Sequence, residues 1–330
     1  MQQLKFSFIL PCYNVEEYIG NCLDSLLNQD IPHSEYEIIC VNDCSHDNLS
    51  DVVRGYQQRY SNVILIEHTE NKTAGGARNT GIVHARGEYI WFVDPDDEII
   101  GNRLTTIYQI MSDSELDTLL FNYYTADENS DSLRVVKEFT ESLTQSGVDY
   151  VRNRTDKSLS RLCMIWNACY RTNFIRENNI TFPHMRKSQD VIFAWRSILQ
   201  AKRIKTISMA NYVYRYNSNS VTHMQKDALI LYSDMFLLGR EIDNLISDSS
   251  NILPNDIRKQ MSDVCKWCID SNVGNIKRLP NKELHKFYNF IKQDSKMIKQ
   301  LYKYLSRKNK ILLSCGTFNY PLWKYMVQLY

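Results

Sequence analysis

Along the first 126 residues two kinds of apolar pattern alternate. "KFSFILP" (5–11), "YEIICVND" (36–43), "VILIEH" (63–68), "YIWFV" (89–93) and "DTLLFNYYTA" (117–126) are short apolar runs rich in β-branched and aromatic residues, the signature of strands covered on both faces. Between the first two, Val15, Tyr18, Ile19, Cys22, Leu23, Leu26 and Leu27 recur at spacings of three and four, which predicts an amphipathic helix with one core face. "LSDVVRGYQQRY" (49–60) predicts a second helix. Strands alternating with helices predict an α/β domain, doubly wound around a mostly parallel sheet. Such sheets bind ligands at the carboxyl ends of their strands, where strand order reverses.

Composition narrows the class without naming a ligand. The 330 residues exceed the usual size of one domain, and 43% apolar with 23% charged residues excludes a disordered chain. Charge is uneven: residues 281–330 hold ten Lys/Arg against two Asp/Glu, or +8, which leaves −7 on the rest. No apolar run approaches the roughly 20 residues that span a bilayer. The opening "MQQLKFSFILPCYN" lacks the apolar stretch of a signal peptide, so a cytoplasmic protein is expected. Nine cysteines, an odd number, predict free thiols. Cys265 and Cys268 form a C-x-x-C with no second pair in a helical pattern, which reads as buried helix positions rather than a zinc or redox site.

Each predicted strand ends in a polar cluster: "PCYN", "NDCSHD", "NKTAGGARN" and "DPDD". Asp94, Asp96 and Asp97 crowd three carboxylates into four positions. They read either as a strand-ending turn or as oxygen ligands for Mg²⁺ or Mn²⁺ carrying a phosphorylated ligand. Gly75 and Gly76 at a helix start favour anions, and Arg78 has a guanidinium able to grip a phosphate at two points. The loop matches neither G-x-G-x-x-G nor the P-loop. Asp43 has the chemistry to accept a base's ring N–H. Asp47 reads more readily as a helix cap, and Tyr13 offers a flat face for stacking.

In this order and spacing, "FSFILPCYNVEEYIGNCLDSLLNQ", "EIICVNDCSHDNLSDVV" and "NKTAGGARNTGIVHARGEYIWFVDPDDEI" closely resemble family 2 glycosyltransferases of the GT-A fold. The resemblance covers residues 4 to 125. It implies a nucleotide-sugar donor, often a UDP-sugar, bound with Mn²⁺ or Mg²⁺. It implies that Pro11 and Tyr13 line the base pocket, that Asp43 recognises uracil, and that Arg78 lies near the base or diphosphate. Asp96 and Asp97 resemble the D-x-D-type pair, with Asp96 toward the ribose and Asp97 on the metal; Asp94 takes the leading position and supports them.

A transferase also needs a base for the acceptor hydroxyl. "KSQDVIFAWR" (187–196) resembles the family's Glu-Asp pair before an apolar helix, which puts Asp190 in the base position and Gln189 where the family generally has Glu. A helix cap is the alternative for Asp190. "MIWNACYRTNFI" and "YVYRYNSNSVTH" resemble the flanking segments, bringing Arg215, Ser220 and His223 toward the diphosphate or metal.

Two domains follow: residues 1–225 as the GT-A catalytic domain and 226–330 as a helical, basic extension. Lys292, Lys296, Lys299, Lys303, Arg307, Lys308 and Lys310 alternate with apolar residues, as on a helix lying on an anionic membrane surface or on one with a solvated basic face. With an acidic body and no nucleic-acid-binding motif, nucleic acid is not an expected partner. The expected function is inverting transfer of a sugar from a nucleotide diphosphate donor to a glycan or lipid-linked acceptor, on the inner face of the cell membrane. The rival expectations are a sugar nucleotidyltransferase and a nucleotide-sugar-binding module without catalysis.

Overall fold

The computed structural model describes residues 4–126, 132–154, 162, 164–217, 228–248, 253–307, 309–310, 313 and 320–329. The chain forms two compact units. One comprises Met1–Lys157, Arg161–His184 and Phe193–Met224; the other comprises Ser158–Ser160, Met185–Ile192 and Gln225–Tyr330.

In the first unit β1 (Phe6–Cys12), β2 (Tyr36–Asn42), β3 (Val63–Glu67), β4 (Tyr89–Phe92), β5 (Glu98–Ile99), β6 (Thr118–Ala126), β7 (Leu133–Val136), β8 (Ala168–Arg171) and β9 (Ile204–Arg215) make one sheet. Their order is β3-β2-β1-β4-β8-β6-β9-β5, with β7 beside β6. From β3 to β4 all pairings are parallel. Farther on, β8 runs antiparallel to both β4 and β6, while β6 and β9 are parallel. The chain builds outward from β1 through β2 to β3, then returns to place β4 on the other side of β1. Strand order therefore reverses between β1 and β4, the position at which open α/β sheets bind ligands.

All seven residues of β1 and all seven of β2 are buried, because both faces are covered. Phe6, Phe8 and Leu10 share one core with Ile19, Leu23 and Leu26 of α1 (Glu16–Leu27), Val53 of α2 (Leu49–Arg59), and Leu104 and Ile107 of α4 (Leu104–Asp113). Each such side chain contributes roughly 1.5–3 kcal/mol on burial. Ile9 points to the opposite face, against α3 (Thr73–His84), where a Cβ on Gly81 would collide with the Ile9 side chain. Glycine at 81 is therefore a packing requirement. At the far end of the strands, buried Glu37 accepts from Ser7 Oγ at 2.7 Å, from Arg86 N–H at 2.6 Å and from Arg86 Nε at 2.8 Å. This self-contained polar network closes the sheet's amino end.

The first unit also holds α5 (Gly147–Asn153) and α6 (Thr172–Glu177), and α7 (Gln189–Leu199) begins in the second unit and ends in the first. Among its described residues the second unit is otherwise mainly helical: α8 (Ala228–Asp248), α9 (Asn255–Asn275), α10 (Asn281–Gln293), α11 (Ser295–Leu301) and the helix Tyr320–Leu329. Cys265 and Cys268 are buried and unbridged in α9, where burial pushes the Cys268 thiol up to about 11. They are core residues, as the helical pattern predicts. Asp294 divides the basic stretch, accepting Met297 N–H at 2.8 Å to start α11. Lys303 pairs with buried Asp243 at 2.7 Å, and Lys292 and Lys310 lie over the rings of Tyr288 and Tyr302. Lys296 and Lys299 are exposed. Lys308 falls outside the described residues. Among the described residues no helix is long and apolar enough to cross a membrane.

Candidate active site

The rim at the carboxyl ends of β1 and β2 is built around Asp43. Its backbone N–H donates to Cys12 C=O at 2.8 Å, extending the β1–β2 ladder by one residue past the strand end. The carboxylate is 2% exposed. Oδ1 accepts from Lys72 N–H at 2.8 Å and lies 2.7 Å from His68 Nδ1, whereas Oδ2 is buried with no partner. A buried carboxylate oxygen without a donor is costly. Pro11 is buried within β1, beside Val41. Tyr13 is 41% exposed, its ring edge-on to His46 at 6.4 Å. Asp47 spends its oxygens on two helix starts, accepting Glu16 N–H at 2.9 Å and Leu49 N–H at 3.3 Å, so it is a cap.

At the end of β4 the three aspartates take three different roles. Asp94 Oδ1 accepts from Arg78 Nη2 at 2.6 Å. Asp97 is 1% exposed and has both oxygens engaged, Oδ2 by Tyr212 O–H at 2.6 Å and Oδ1 by Arg215 N–H at 2.8 Å. Tyr212 O also receives Asp94 N–H at 3.0 Å, so the turn is pinned to β9 through one hydroxyl. Asp96 is only partly buried, and Asn217 Nδ2 reaches its Oδ2 at 3.3 Å. Burial, with the neighbouring charge of Asp94 adding to it, raises the Asp96 carboxyl above the usual range. Burial and the charges of Asp94 and Asp96 raise Asp97 further, although Tyr212 and the Arg215 N–H oppose the shift. Burial, more than charge, is what disfavours the ionised forms of Asp96 and Asp97.

Arg78, 7% exposed, sits in α3 with its guanidinium 5.5 Å from the centre of the Phe182 ring. Its Nε is buried without a partner. Helix α3 thus joins the two acidic sites: its cap residue Lys72 holds Asp43, and Arg78 holds Asp94. Arg215, expected near a diphosphate, donates from Nε to Glu98 at 2.5 Å. Ser220 and His223 lie outside the described residues.

Asp190 belongs to the second unit, at the start of α7, where its Oδ1 takes Val191 N–H at 3.1 Å. The segment before it is held by Asp234 of α8, 4% exposed, whose Oδ2 accepts Lys187 N–H at 2.7 Å. Ser188, between that bond and Gln189, has φ of 59°, a left-handed conformation that a non-glycine residue adopts at a cost. Gln189 is 6% exposed.

Sequence reading missed His68, Tyr212, Asn217 and Asp234. Only His68 carried a local signal, a titratable residue directly at a strand's carboxyl end beside the Gly-rich loop.

Among the described residues no group of three or more His, Cys, Asp or Glu is arranged to hold a metal ion by itself. The fit to a hard cation is nevertheless good. Asp94, paired with Arg78, and Asp96, whose carboxyl burial and the charge of Asp94 raise, supply carboxylate oxygens, and Mg²⁺ is commonly bound through one or two carboxylates plus the phosphates of a substrate. Asp97 already accepts one hydrogen bond on each oxygen, from Tyr212 and from the Arg215 N–H, and would join such a set through a remaining lone pair.

The chain is 35% identical over 213 residues to a poly(ribitol-phosphate) beta-glucosyltransferase of Bacillus spizizenii, covering 64% of this chain and 32% of that protein. It is 32% identical over 212 residues to the Staphylococcus aureus poly(ribitol-phosphate) beta-N-acetylglucosaminyltransferase TarS, covering 64% and 35%. The chain thus spans about a third of the length of these relatives. Among solved structures, S. aureus TarS 1-349 in complex with UDP-GlcNAc superposes with a TM-score of 0.68 at 23% identity, covering 99% of this chain and 91% of that one. This likeness shows the fold, which is GT-A. The profile of Glycosyl transferase family 2 matches residues 7–178 of the 330, and the chain belongs to that family.

Proposed function

We propose that this chain binds a nucleotide diphosphate sugar, a UDP-sugar, on the β1–β4 rim and transfers the sugar to a hydroxyl of a glycan or lipid-linked acceptor, a cell-surface polymer or its precursor. The observation that carries the reading is the double engagement of α3, which ties Asp43, with its unpartnered buried oxygen, and Asp94, beside Asp96, into one site. Asp43 Oδ2 accepts the uracil ring N–H, with Pro11 and Tyr13 along the base. Asp94 and Asp96 face the ribose and diphosphate and hold Mn²⁺ or Mg²⁺, while Asp97 pins the turn that presents them. When bound, the cation offsets the charge that develops on the departing diphosphate.

Asp190 takes the proton of the acceptor hydroxyl, and a single displacement inverts the anomeric centre. Asp234 keeps the segment ahead of Asp190 in place. The two poly(ribitol-phosphate) glycosyltransferases among the relatives, and the UDP-GlcNAc complex of TarS, support a UDP-sugar and a polyol-phosphate or similar surface polymer. Exposed Lys296 and Lys299 suit a peripheral position on an anionic membrane from the cytoplasmic side, which belongs to the same proposal.

The test is release of UDP from UDP-glucose or UDP-GlcNAc with Mn²⁺, with and without poly(ribitol phosphate). Acceptor-dependent release that Asp190→Asn abolishes is expected. Donor binding with no turnover on any acceptor would instead favour a binding module, a reading that Gln189 in place of the family's Glu keeps open. Pyrophosphate release from UTP and a sugar phosphate would identify a nucleotidyltransferase.

A further inference from the structure

Behind Asp43 lies a histidine that the proposed chemistry does not use. His68 follows β3, its side chain 5% exposed, and its backbone N–H donates to Asn42 C=O at 2.9 Å. Nδ1 lies 2.7 Å from Asp43 Oδ1, and Nε2 lies 2.9 Å from Thr80 Oγ1. Opposite a carboxylate oxygen Nδ1 must carry the proton, so the ring donates to Asp43. The Thr80 hydroxyl is also 3.1 Å from Gly76 C=O. The ring is therefore held from both sides, by β2's end and by α3.

The consequence falls on Asp43. Its Oδ1 receives the His68 ring and the Lys72 N–H, its carbonyl receives Asn71 Nδ2 at 3.0 Å, and its N–H goes to Cys12. Every polar atom of the residue is engaged except Oδ2. Rotating the carboxylate to bring Oδ2 back into the protein breaks both bonds at Oδ1. We propose that His68 is a positioning residue that locks Asp43 with one oxygen presented as an obligate acceptor, and so sets the base preference of the donor site. This deepens the donor reading above and rests on it.

A locked carboxylate oxygen discriminates by what it meets. The ring edge of uracil offers an N–H there, whereas cytosine offers a lone pair. A site built to hydrogen-bond one group rejects an analogue that lacks it, because its own buried polar atom is then left unpaired. With the lock removed, the carboxylate is free to turn and the discrimination falls.

Calorimetry of UDP and CDP, each with Mn²⁺, tests this on wild type, His68→Leu, His68→Asn and Asp43→Asn. Wild type is expected to prefer UDP by at least about tenfold, the scale of one hydrogen bond to a charged group. His68→Leu should bring the two nucleotides close to equal affinity, and His68→Asn, whose amide can still donate to Oδ1, should keep most of the preference. Should the leucine variant not fold, Thr80→Val carries the same test by releasing the ring's far side, and a reduced UDP preference is expected. A preference unchanged in His68→Leu or in Thr80→Val overturns the proposal, even if thermal stability drops, because the ring then only fills space. If wild type binds neither nucleotide, or if Asp43→Asn leaves UDP affinity intact, the donor reading fails and takes this proposal with it.

Discussion

Two sets of buried or partly buried carboxylates, one in each unit, are treated in opposite ways by the surrounding chain. In the helical unit Asp243 meets Lys303, Tyr304 O–H at 2.5 Å and Gln300 Nε2 at 2.9 Å, and Asp270 meets Ser306 N–H at 2.9 Å and Asn309 Nδ2 at 2.6 Å. Burial alone would raise both, but these partners outweigh it and hold both carboxyls below the usual range. On the rim of the sheet unit, burial and mutual repulsion win, and Asp96 and Asp97 are raised. A carboxylate that the chain satisfies is part of the structure. A cluster whose carboxyls are raised at a topological switch point is where the proposed donor and cation would add charge from outside.

The sharpest way to break that contrast is Asp96→Asn. With saturating donor and Mn²⁺, kcat should fall by about 10²–10³-fold, the usual loss when one preorganised electrostatic group is removed. The unfolding midpoint of the same variant should hold steady or rise, because a repulsive charge has gone. A folded variant with near-normal turnover would put the cation elsewhere.

Asp243→Asn, which removes a carboxylate that its partners hold below the usual range, is expected to cost about 1–3 kcal/mol of stability, as for a buried polar group losing a partner, read as a lower thermal midpoint. Asp97→Asn should cost less, because the hydrogen bond lost to Tyr212 or to the Arg215 N–H is offset by removal of a charge that burial, Asp94 and Asp96 disfavour. Asp243→Asn should leave UDP affinity untouched.

The smallest effect is on pH dependence. Asp243 and Asp270 bind protons less readily folded than unfolded, so their stabilisation is complete above the ordinary carboxylate value of about 4. It is lost as the pH falls through their lower folded values. Asp96 and Asp97 bind protons more readily folded, so in metal-free protein their contribution is largest below about pH 4 and is lost as the pH rises through the raised values. Hydrogen exchange resolved by segment, corrected for intrinsic rates, should show the amides around Asp243 losing protection on acidification while those of residues 94–98 gain it. Parallel behaviour of the two segments would remove the distinction.

The strands and the clusters at their ends were legible in the chain because burial on two faces and turn chemistry are local properties. The antiparallel β8 was not, since four residues, "ACYR", carry no mark of the direction in which they pair. Nor could the chain alone separate Asp94, Asp96 and Asp97, whose roles are set by partners remote in sequence: Tyr212 lies 115 positions from Asp97. His68 stands 25 positions from Asp43, and only the β2–β3 pairing brings the two together. Asp234 lies in α8, with no local pattern tying it to the segment that carries Asp190.

Calorimetry of UDP binding with and without Mn²⁺, in wild type and Asp96→Asn, addresses the central claim most directly. The account predicts that Mn²⁺ strengthens UDP binding by about tenfold or more, the worth of one charge-assisted contact, and that Asp96→Asn removes this gain. UDP affinity that is indifferent both to the metal and to Asp96 would contradict the assignment of the rim as a cation-completed donor site.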